Sequence, residues 1–296
     1  MKFILNAIRG FCMAVADSVP GVSGGTIAFL MGFYDQFINS LDGLFLGNKE
    51  EKKKSLLFLV KLGIGWVIGL GISIAILTSL FSSHIYVVSS VFLGLTCCAI
   101  PIVIREERES VIGHYKNILF LVLGVAAVVL ITLGNPSSGG GLHIDVSNLT
   151  LGNGIYVFLV GMLAISAMVL PGISGSTMLL IFGLYIPVTT AIKAFMKGDP
   201  SNLKLLVILA LGIIAGILVI IRLVKFCLHR FRSQTIYFII GLMAGSLLAI
   251  VKGPETLDIP QKALDLSTFH IGGFILGVAI LVVFEIGKTI KEKKEA

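Results

Sequence analysis

Long apolar runs alternate with short polar connections along most of this chain. Six of the runs approach the roughly 20 residues that a helix needs to cross a membrane. They predict spans near 56–81, 86–104, 117–134, 205–224, 236–251 and 268–287. The pattern therefore predicts an all-α integral membrane protein.

Two further apolar regions are interrupted by similar polar motifs. The first reads A-D-S-V-P-G-V-S-G-G-T from Ala16 to Thr26, and the second reads M-V-L-P-G-I-S-G-S-T from Met168 to Thr177. Pro20 and Pro171 forbid a continuous helix. The arm before the first motif, 3–17, would be about 22 Å long as a helix, which is less than a bilayer core. Each region therefore predicts a re-entrant helical hairpin, over 3–46 and 154–192.

The two motifs belong to a longer internal repeat. At a constant offset of 151 residues, Pro20 pairs with Pro171 and Ser23 with Ser174, and the same offset pairs Ile85-Tyr86 with Ile236-Tyr237 and Gly94 with Gly245. With a shift of two, L-G-V-A at 123–126 matches 276–279. The chain divides into a first repeat over 1–135, an extracytoplasmic linker over 136–153 and a second repeat over 154–296. Each repeat is a hairpin followed by three spans.

Charge in the connections predicts opposite orientations for the two repeats. If each hairpin returns the chain to its starting side, three spans per half leave both termini in the cytoplasm. Of the 23 Lys and Arg residues, 18 then lie on or near the cytoplasmic side and 5 lie outside, as the positive-inside rule requires. Inverted repeats with interrupted helices are a common plan of secondary transporters, whose site lies where the repeats meet.

Composition narrows the class of protein. The chain is 56% hydrophobic and 13% charged, with a mean hydropathy of +1.01, far from a soluble domain. Its net charge of +7 comes from loop residues, so we expect membrane lipids and no nucleic acid as partners. The four cysteines have no metal-ligand spacing, and we expect no metal or cofactor. The oligomeric state is left open.

The broken helices predict an anion site. A helix that begins inside a membrane presents unpaired backbone N–H groups and the positive end of its dipole. Two such tips arriving from opposite faces would form one small oxyanion pocket. The alternative is that the motif is only a turn that lets helices pack closely. The expected pocket residues are Gly21, Ser23, Gly24, Gly25, Thr26, Gly172, Ser174, Gly175, Ser176 and Thr177.

Three other polar positions stand out in apolar surroundings. Asp17 lies three residues before Pro20, and its counterpart is Met168. It either takes part in coupling to H⁺ or Na⁺ or caps local backbone N–H groups. Arg222 either grips an anion through its forked donors or extends towards the cytoplasmic headgroups. Tyr34, two turns after the motif, is expected to anchor the chain at the membrane interface.

Residues 16–34 and 170–185, which contain both motifs and the G-F-Y and G-L-Y sequences after them, resemble the bacterial and archaeal polyprenyl-phosphate transporters. This PopT family was formerly a domain of unknown function, and the resemblance covers essentially the whole chain. It implies a flippase of the cell membrane, and not an enzyme. Such a flippase returns undecaprenyl phosphate from the outer to the cytoplasmic leaflet, where the lipid carrier is reused for cell-wall precursors. The pocket residues and Arg222 would then bind the lipid phosphate.

Two alternatives remain. P-G-x-S-G also resembles part of the P-G-x-S-R-S-G motif of undecaprenyl-pyrophosphate phosphatases. Gly24 and Gly175 occupy the arginine position here, and the E-x-x-x-E pair of that family is missing from both hairpins. Phosphoryl transfer depends on such charge stabilisation, which disfavours an enzyme. A small-anion transporter would share the physical features described above.

Overall fold

The fold, given by a computed structural model, consists of α-helices joined by short turns. The structure describes residues 2–17, 23–133, 150–172, 175–256 and 261–295, and no β-strand occurs in these ranges. Short 3₁₀ helices lie at Tyr115–Asn117 and Gly253–Thr256. The α-helices are α1 (Lys2–Asp17), α2 (Gly24–Leu30), α3 (Tyr34–Leu46), α4 (Lys49–Glu106), α5 (Arg108–Val111), α6 (Ile118–Leu133), α7 (Leu151–Val169), α8 (Gly175–Ile181), α9 (Tyr185–Met196), α10 (Leu203–Arg230), α11 (Arg232–Lys252) and α12 (Ile271–Glu295).

Six segments of the described chain are long and apolar enough to cross a membrane. They are Lys49–Ser73, His84–Glu106, Tyr115–Leu133, Leu151–Val169, Leu203–Arg230 and Arg232–Glu255. Five coincide with predicted spans, so the all-α, multi-pass membrane class is confirmed. The remaining segment, Leu151–Val169, is the first arm of the second predicted hairpin and is itself long enough to cross a membrane. The remaining predicted span, 268–287, corresponds to α12, whose apolar part is the shorter segment Ile271–Val283. The predicted linker lies largely outside the described residues.

Helix α4 contains two of these spans in one element. His84 has φ −139° and ψ 35°, which are not helical, and it separates the two parts. The N-terminus of α4 is charged and exposed, and it is fixed by a capping box. Asn48 accepts a hydrogen bond from the Glu51 N–H (2.9 Å), and Glu51 accepts one from the Asn48 N–H (3.0 Å). Such reciprocal bonds satisfy donors that a helix start leaves unpaired.

Both hairpin regions contain a second break that the sequence analysis did not predict. The arm after the first motif is divided into α2 and α3, and the arm after the second is divided into α8 and α9. Gly32 (φ 64°) and Gly183 (φ 68°) lie at the two breaks, where left-handed backbone favours glycine. The predicted interfacial place of Tyr34 is wrong: its side chain is 3% exposed and packs beside Phe29, with ring centroids 5.0 Å apart.

The first arm of each hairpin packs along the helix that begins the next span. On α1 and α4, Ala7 faces Gly65 and Phe11 faces Gly69. On α7 and α10, Phe158 faces Gly212 and Met162 faces Gly216. Contacts that advance together along both helices show that each pair runs in the same direction. Small residues four apart allow this close backbone approach.

The remaining spans pair across the two halves of the chain. Helix α6 packs on α11, where Gly241 contacts the Leu121 carbonyl, and α12 packs on the second part of α4, where Gly94 contacts the Phe274 carbonyl. Gly94 in the first half is therefore structurally equivalent to Gly241 in the second half, at an offset of 147 residues. The predicted matches of Gly94 with Gly245 and of Ile85-Tyr86 with Ile236-Tyr237 are wrong. The chain between the first hairpin and these spans is four residues longer than its counterpart, and this difference changes the offset.

Ion pairs tie the first hairpin to the second half at one end of the molecule. Asp42 on α3 pairs with Lys225 on α10 (2.5 Å). Arg232, at the start of α11, pairs with Glu107 (2.6 Å) and Asp35 (3.4 Å). These contacts hold α3 against α10 and α11. The main cluster of buried apolar side chains is formed mostly by residues of α2, α3, α4, α10 and α11.

Candidate functional site

The motifs of the two hairpins touch each other directly. Ser23, which is fully buried, occupies the N-cap of α2 with extended backbone angles (φ −129°, ψ 142°). Its Oγ accepts a hydrogen bond from the Gly25 N–H (3.0 Å) and donates to the Leu170 carbonyl (3.0 Å), with the Met168 carbonyl at 3.3 Å. Ser23 therefore caps the N-terminus of α2. The same hydroxyl also joins the two halves of the chain.

A second hydroxyl makes the reciprocal connection. Thr26 on α2 is 3% exposed, and its Oγ1 accepts a hydrogen bond from the Gly172 N–H (2.9 Å). One bond therefore runs from the first hairpin to the second, and one runs back. The tip contact, as we call it, comprises residues 23–26 of the first hairpin and 168–172 of the second.

Two glycines allow the tips to come this close. A methyl group on Gly25 would lie 2.6 Å from the Val169 carbonyl oxygen, a distance that no side chain occupies without displacing backbone. Gly172 has φ 90°, and a methyl group there would lie 2.5 Å from the Leu242 carbonyl oxygen of α11. Beside it, Pro171 is buried. Both glycines are therefore required by backbone geometry.

Asp17 lies at the end of α1 and faces the start of α2. Its Oδ1 accepts a hydrogen bond from the Gly24 N–H (2.7 Å), and its Oδ2 accepts one from the Trp66 indole N–H (3.2 Å). Asp17 therefore binds a backbone N–H group at the start of α2, as the capping alternative predicts. The arrangement exists in one half only: Met168 corresponds to Asp17, and Ile213, which packs on Gly161 as Trp66 packs on Gly10, corresponds to Trp66.

The donors expected to meet an anion have protein partners in this conformation. The N–H groups of Gly24, Gly25 and Gly172 donate to Asp17, Ser23 and Thr26 respectively. Buried donors are costly when unpaired, so these partners stabilise a closed arrangement. An incoming anion would have to replace them, with the Asp17 carboxylate and the two hydroxyls giving up their hydrogen bonds.

The other predicted pocket residues are only partly within the described chain. Gly175 begins α8, where a methyl group would lie 2.9 Å from the Ala164 carbonyl oxygen. Ser176 and Thr177 follow it on the same helix, and only their backbone is described. Pro20, Gly21 and Ser174 lie outside the described residues.

The two arginines within apolar helices have different surroundings. Arg222 on α10 is exposed and makes no ion pair with a described residue. Arg9 on α1 lies over the Phe33 ring, 4.7 Å from its centroid, and donates to the Asn6 side-chain oxygen (3.1 Å). Arg222 therefore takes no part in the tip contact.

Sequence reasoning missed Trp66 as a site residue. It is the only tryptophan of the chain, and an indole N–H inside a membrane needs an acceptor. Asp17 is a carboxylate predicted to lie inside the membrane, and it could serve as that acceptor. An indole donor and a carboxylate acceptor, both in apolar segments, are the signal that could have suggested the contact between Trp66 and Asp17.

Comparisons with known proteins agree on one family. Residues 13–268 match the family model described as undecaprenyl phosphate translocase-like. The chain is 34% identical over 278 residues to a polyprenyl-phosphate transporter of Staphylococcus aureus, covering 93% of this chain and 95% of that one. It is 32% identical over 268 residues to a polyprenyl-phosphate transporter of Vibrio cholerae, covering 87% and 80%. No solved structure matches it significantly.

Proposed function

The chain belongs to the undecaprenyl phosphate translocase-like family, and on that premise we propose that it transports polyprenyl phosphate across the bacterial cell membrane. Relatives that it matches over most of their length are named polyprenyl-phosphate transporters. We further propose that it moves undecaprenyl phosphate from the outer to the cytoplasmic leaflet, which would return the carrier for another round of cell-wall precursor synthesis. The observation that carries the proposal is the reciprocal hydroxyl contact between the two broken hairpins.

The proposed topology is that of two inverted repeats, 1–135 and 154–296, with both termini in the cytoplasm. The matched packing of α1 on α4 and of α7 on α10 supports a repeat, as does the exchange of last spans between the halves. The excess of basic residues on the proposed cytoplasmic side supports the orientation. Under this topology α1 and α7 enter from opposite faces and meet at the tip contact, which places the site near the membrane centre.

The proposed path of the phosphate lies between the tips. A hydroxyl has one donor proton and two acceptor lone pairs, so Ser23 and Thr26 can exchange a protein partner for a phosphate oxygen. The N–H groups of Gly24, Gly25 and Gly172 would become donors to the same anion once their present partners move. The polyprenyl tail would stay among the lipids, because only the charged headgroup needs a polar route.

We propose that coupling of lipid transport to an H⁺ or Na⁺ gradient depends on Asp17. In Asp17→Asn the amide can accept from only one of the two donors that now bind the carboxylate, and it cannot bind a proton or contribute charge to a sodium site. We expect transport by this variant to lose its response to an imposed H⁺ or Na⁺ gradient, measured as initial rates in proteoliposomes with each gradient set separately.

Trp66→Phe is the matched control for this experiment. It removes the indole N–H from the same carboxylate and leaves the acid in place, so a response to the gradient should persist at a reduced rate. A full wild-type response in Asp17→Asn would restrict Asp17 to capping α2.

A direct experiment separates the proposed class from its alternatives. Purified protein is reconstituted and given undecaprenyl phosphate, undecaprenyl pyrophosphate or inorganic phosphate in parallel. We expect movement of undecaprenyl phosphate between leaflets, no release of phosphate from the pyrophosphate lipid and no uptake of inorganic phosphate. Phosphate release would indicate the phosphatase class, and uptake of inorganic phosphate would indicate a small-anion transporter.

A further inference from the structure

An apolar groove that the proposed function does not use opens between the last helix of the first half and two helices of the second half. It encloses about 450 Å³ between α6, α10 and α11, a volume within the usual range of small-molecule sites. Most of its lining is aliphatic or aromatic. Six residues of that lining are Phe120, Leu170, Leu223, Cys227, Phe231 and Phe238.

The groove is continuous with the tip contact. Leu170, which lines it, is also the residue whose carbonyl accepts the hydrogen bond of Ser23. The backbone carbon of Leu170 lies 3.1 Å from the position of a methyl group on Gly25. An occupant of the groove would therefore touch the second hairpin directly behind the point where the two hairpins are joined.

Three basic residues adjoin residues of the groove lining along the chain. Arg222 precedes the lining residue Leu223, Arg230 precedes Phe231, and Lys116 lies one helical turn before Phe120. All three side chains are exposed, and none makes an ion pair within the described chain. Gln234 and Thr235 add hydrogen-bonding groups to the lining. This surface complements a ligand with an apolar body and an anionic head.

We propose that this groove seats the phosphate-proximal isoprene units of the polyprenyl phosphate, with the phosphate towards Arg222, Arg230 and Lys116. This inference rests on the proposed function and adds a tail site to it. A single branched chain suits a groove lined with aromatic rings, and a long polyprenyl chain greatly exceeds the enclosed volume, so only the units nearest the phosphate fit. In the proposed topology the C-terminal end of α10 is cytoplasmic, so the groove receives the lipid in the cytoplasmic leaflet.

Photolabelling tests the groove on the complete protein. The probe is undecaprenyl phosphate with a diazirine on an isoprene unit near the phosphate, in vesicles of phosphatidylethanolamine and phosphatidylglycerol. We expect adducts concentrated in residues 220–239 and around Phe120. Excess undecaprenyl phosphate and undecaprenol should remove them, because both carry the tail. Inorganic phosphate, which lacks the tail, should leave them unchanged.

Two tryptophan variants of α10 provide the matched comparison. Cys227→Trp fills the groove and should reduce labelling to background. Leu211→Trp adds the same side chain at an exposed position on the same helix (Leu211 is 54% exposed) and should label like wild type. Because mapping of adducts uses the wild-type protein, the test does not depend on the folding of Cys227→Trp.

Distinct outcomes separate this inference from the proposed function. Adducts spread evenly over lipid-facing positions, or equal competition by phosphatidic acid, would overturn the tail site even if undecaprenyl phosphate is transported. Labelling that is confined to the groove and competed by the tail, in a protein that does not transport the lipid, would support the tail site and contradict the proposed transport function.

Discussion

Transport by Thr26→Val is expected to fall at least about tenfold, while Thr26→Ser stays close to wild type. Valine keeps the shape of threonine but removes the oxygen that accepts the Gly172 N–H. The substitution also removes a hydroxyl that we propose contacts the phosphate. A hydrogen bond from a hydroxyl to a charged group contributes about 1.5–3 kcal/mol, and about 1.4 kcal/mol corresponds to a factor of ten. Initial rates of undecaprenyl phosphate movement in proteoliposomes provide the measurement.

Serine is the matched control because it keeps the hydroxyl and loses only the methyl group. Equal amounts of each variant in the membrane should be verified by size-exclusion chromatography after extraction. Equal transport by the valine and serine variants would show that the Thr26 hydroxyl has no part in the cycle.

Gly25→Ala is expected to disrupt the tip contact and to abolish most transport. The added methyl group would meet the Val169 carbonyl oxygen at 2.6 Å, with the carbonyl carbon of Leu170 at 3.1 Å. These are backbone atoms, so relief requires the hairpins to separate. Overpacking of this kind costs about 1–3 kcal/mol or more. Thermal unfolding of the extracted protein should therefore show a lowered midpoint, together with the loss of transport.

Gly63→Ala on α4 is the control for the same chemical change. No heavy atom lies within 4 Å of the added methyl group, and alanine favours a helix over glycine by about 1 kcal/mol. This variant should be at least as stable as wild type and equally active. If Gly25→Ala behaves like Gly63→Ala, the close approach of the tips is not required for folding or transport.

Much of the helical architecture can be predicted from the sequence because the membrane strongly restricts which structures can span it. Five spans were placed from runs of apolar residues, since each helix must satisfy its own backbone hydrogen bonds and cover the bilayer core. The interruptions between α1 and α2 and between α7 and α8 were expected because each motif contains a proline.

The failures have equally specific causes. Gly94 was matched with Gly245 because a constant offset cannot allow for the four additional residues in the first half, whereas packing pairs it with Gly241. The sequence pattern does not predict the breaks at Gly32 and Gly183, because one glycine within an apolar stretch does not distinguish a turn from a packing position. Tyr34 was assigned to the interface from residue type, but burial against Phe29 decided its place.

The sequence motifs singled out the candidate residues but not the contacts that the described ones make. Ser23 and Thr26 were recognised by their place in the motif, yet the motif could not reveal that their partners are the Leu170 carbonyl and the Gly172 N–H of the other hairpin. Trp66, which binds the Asp17 carboxylate, lies 49 residues away in the chain. Contacts between distant segments are set by packing, and local sequence patterns carry little information about them.

The most direct test of the central claim, that the phosphate crosses between the paired tips, is leaflet-resolved transport of undecaprenyl phosphate in proteoliposomes. Wild type is compared with a variant carrying both Ser23→Val and Ser174→Val, and inorganic phosphate is monitored in parallel. We predict transport by wild type, its loss in the double variant at equal expression, and no phosphate release from either. Unaltered transport in the double variant would contradict the claim.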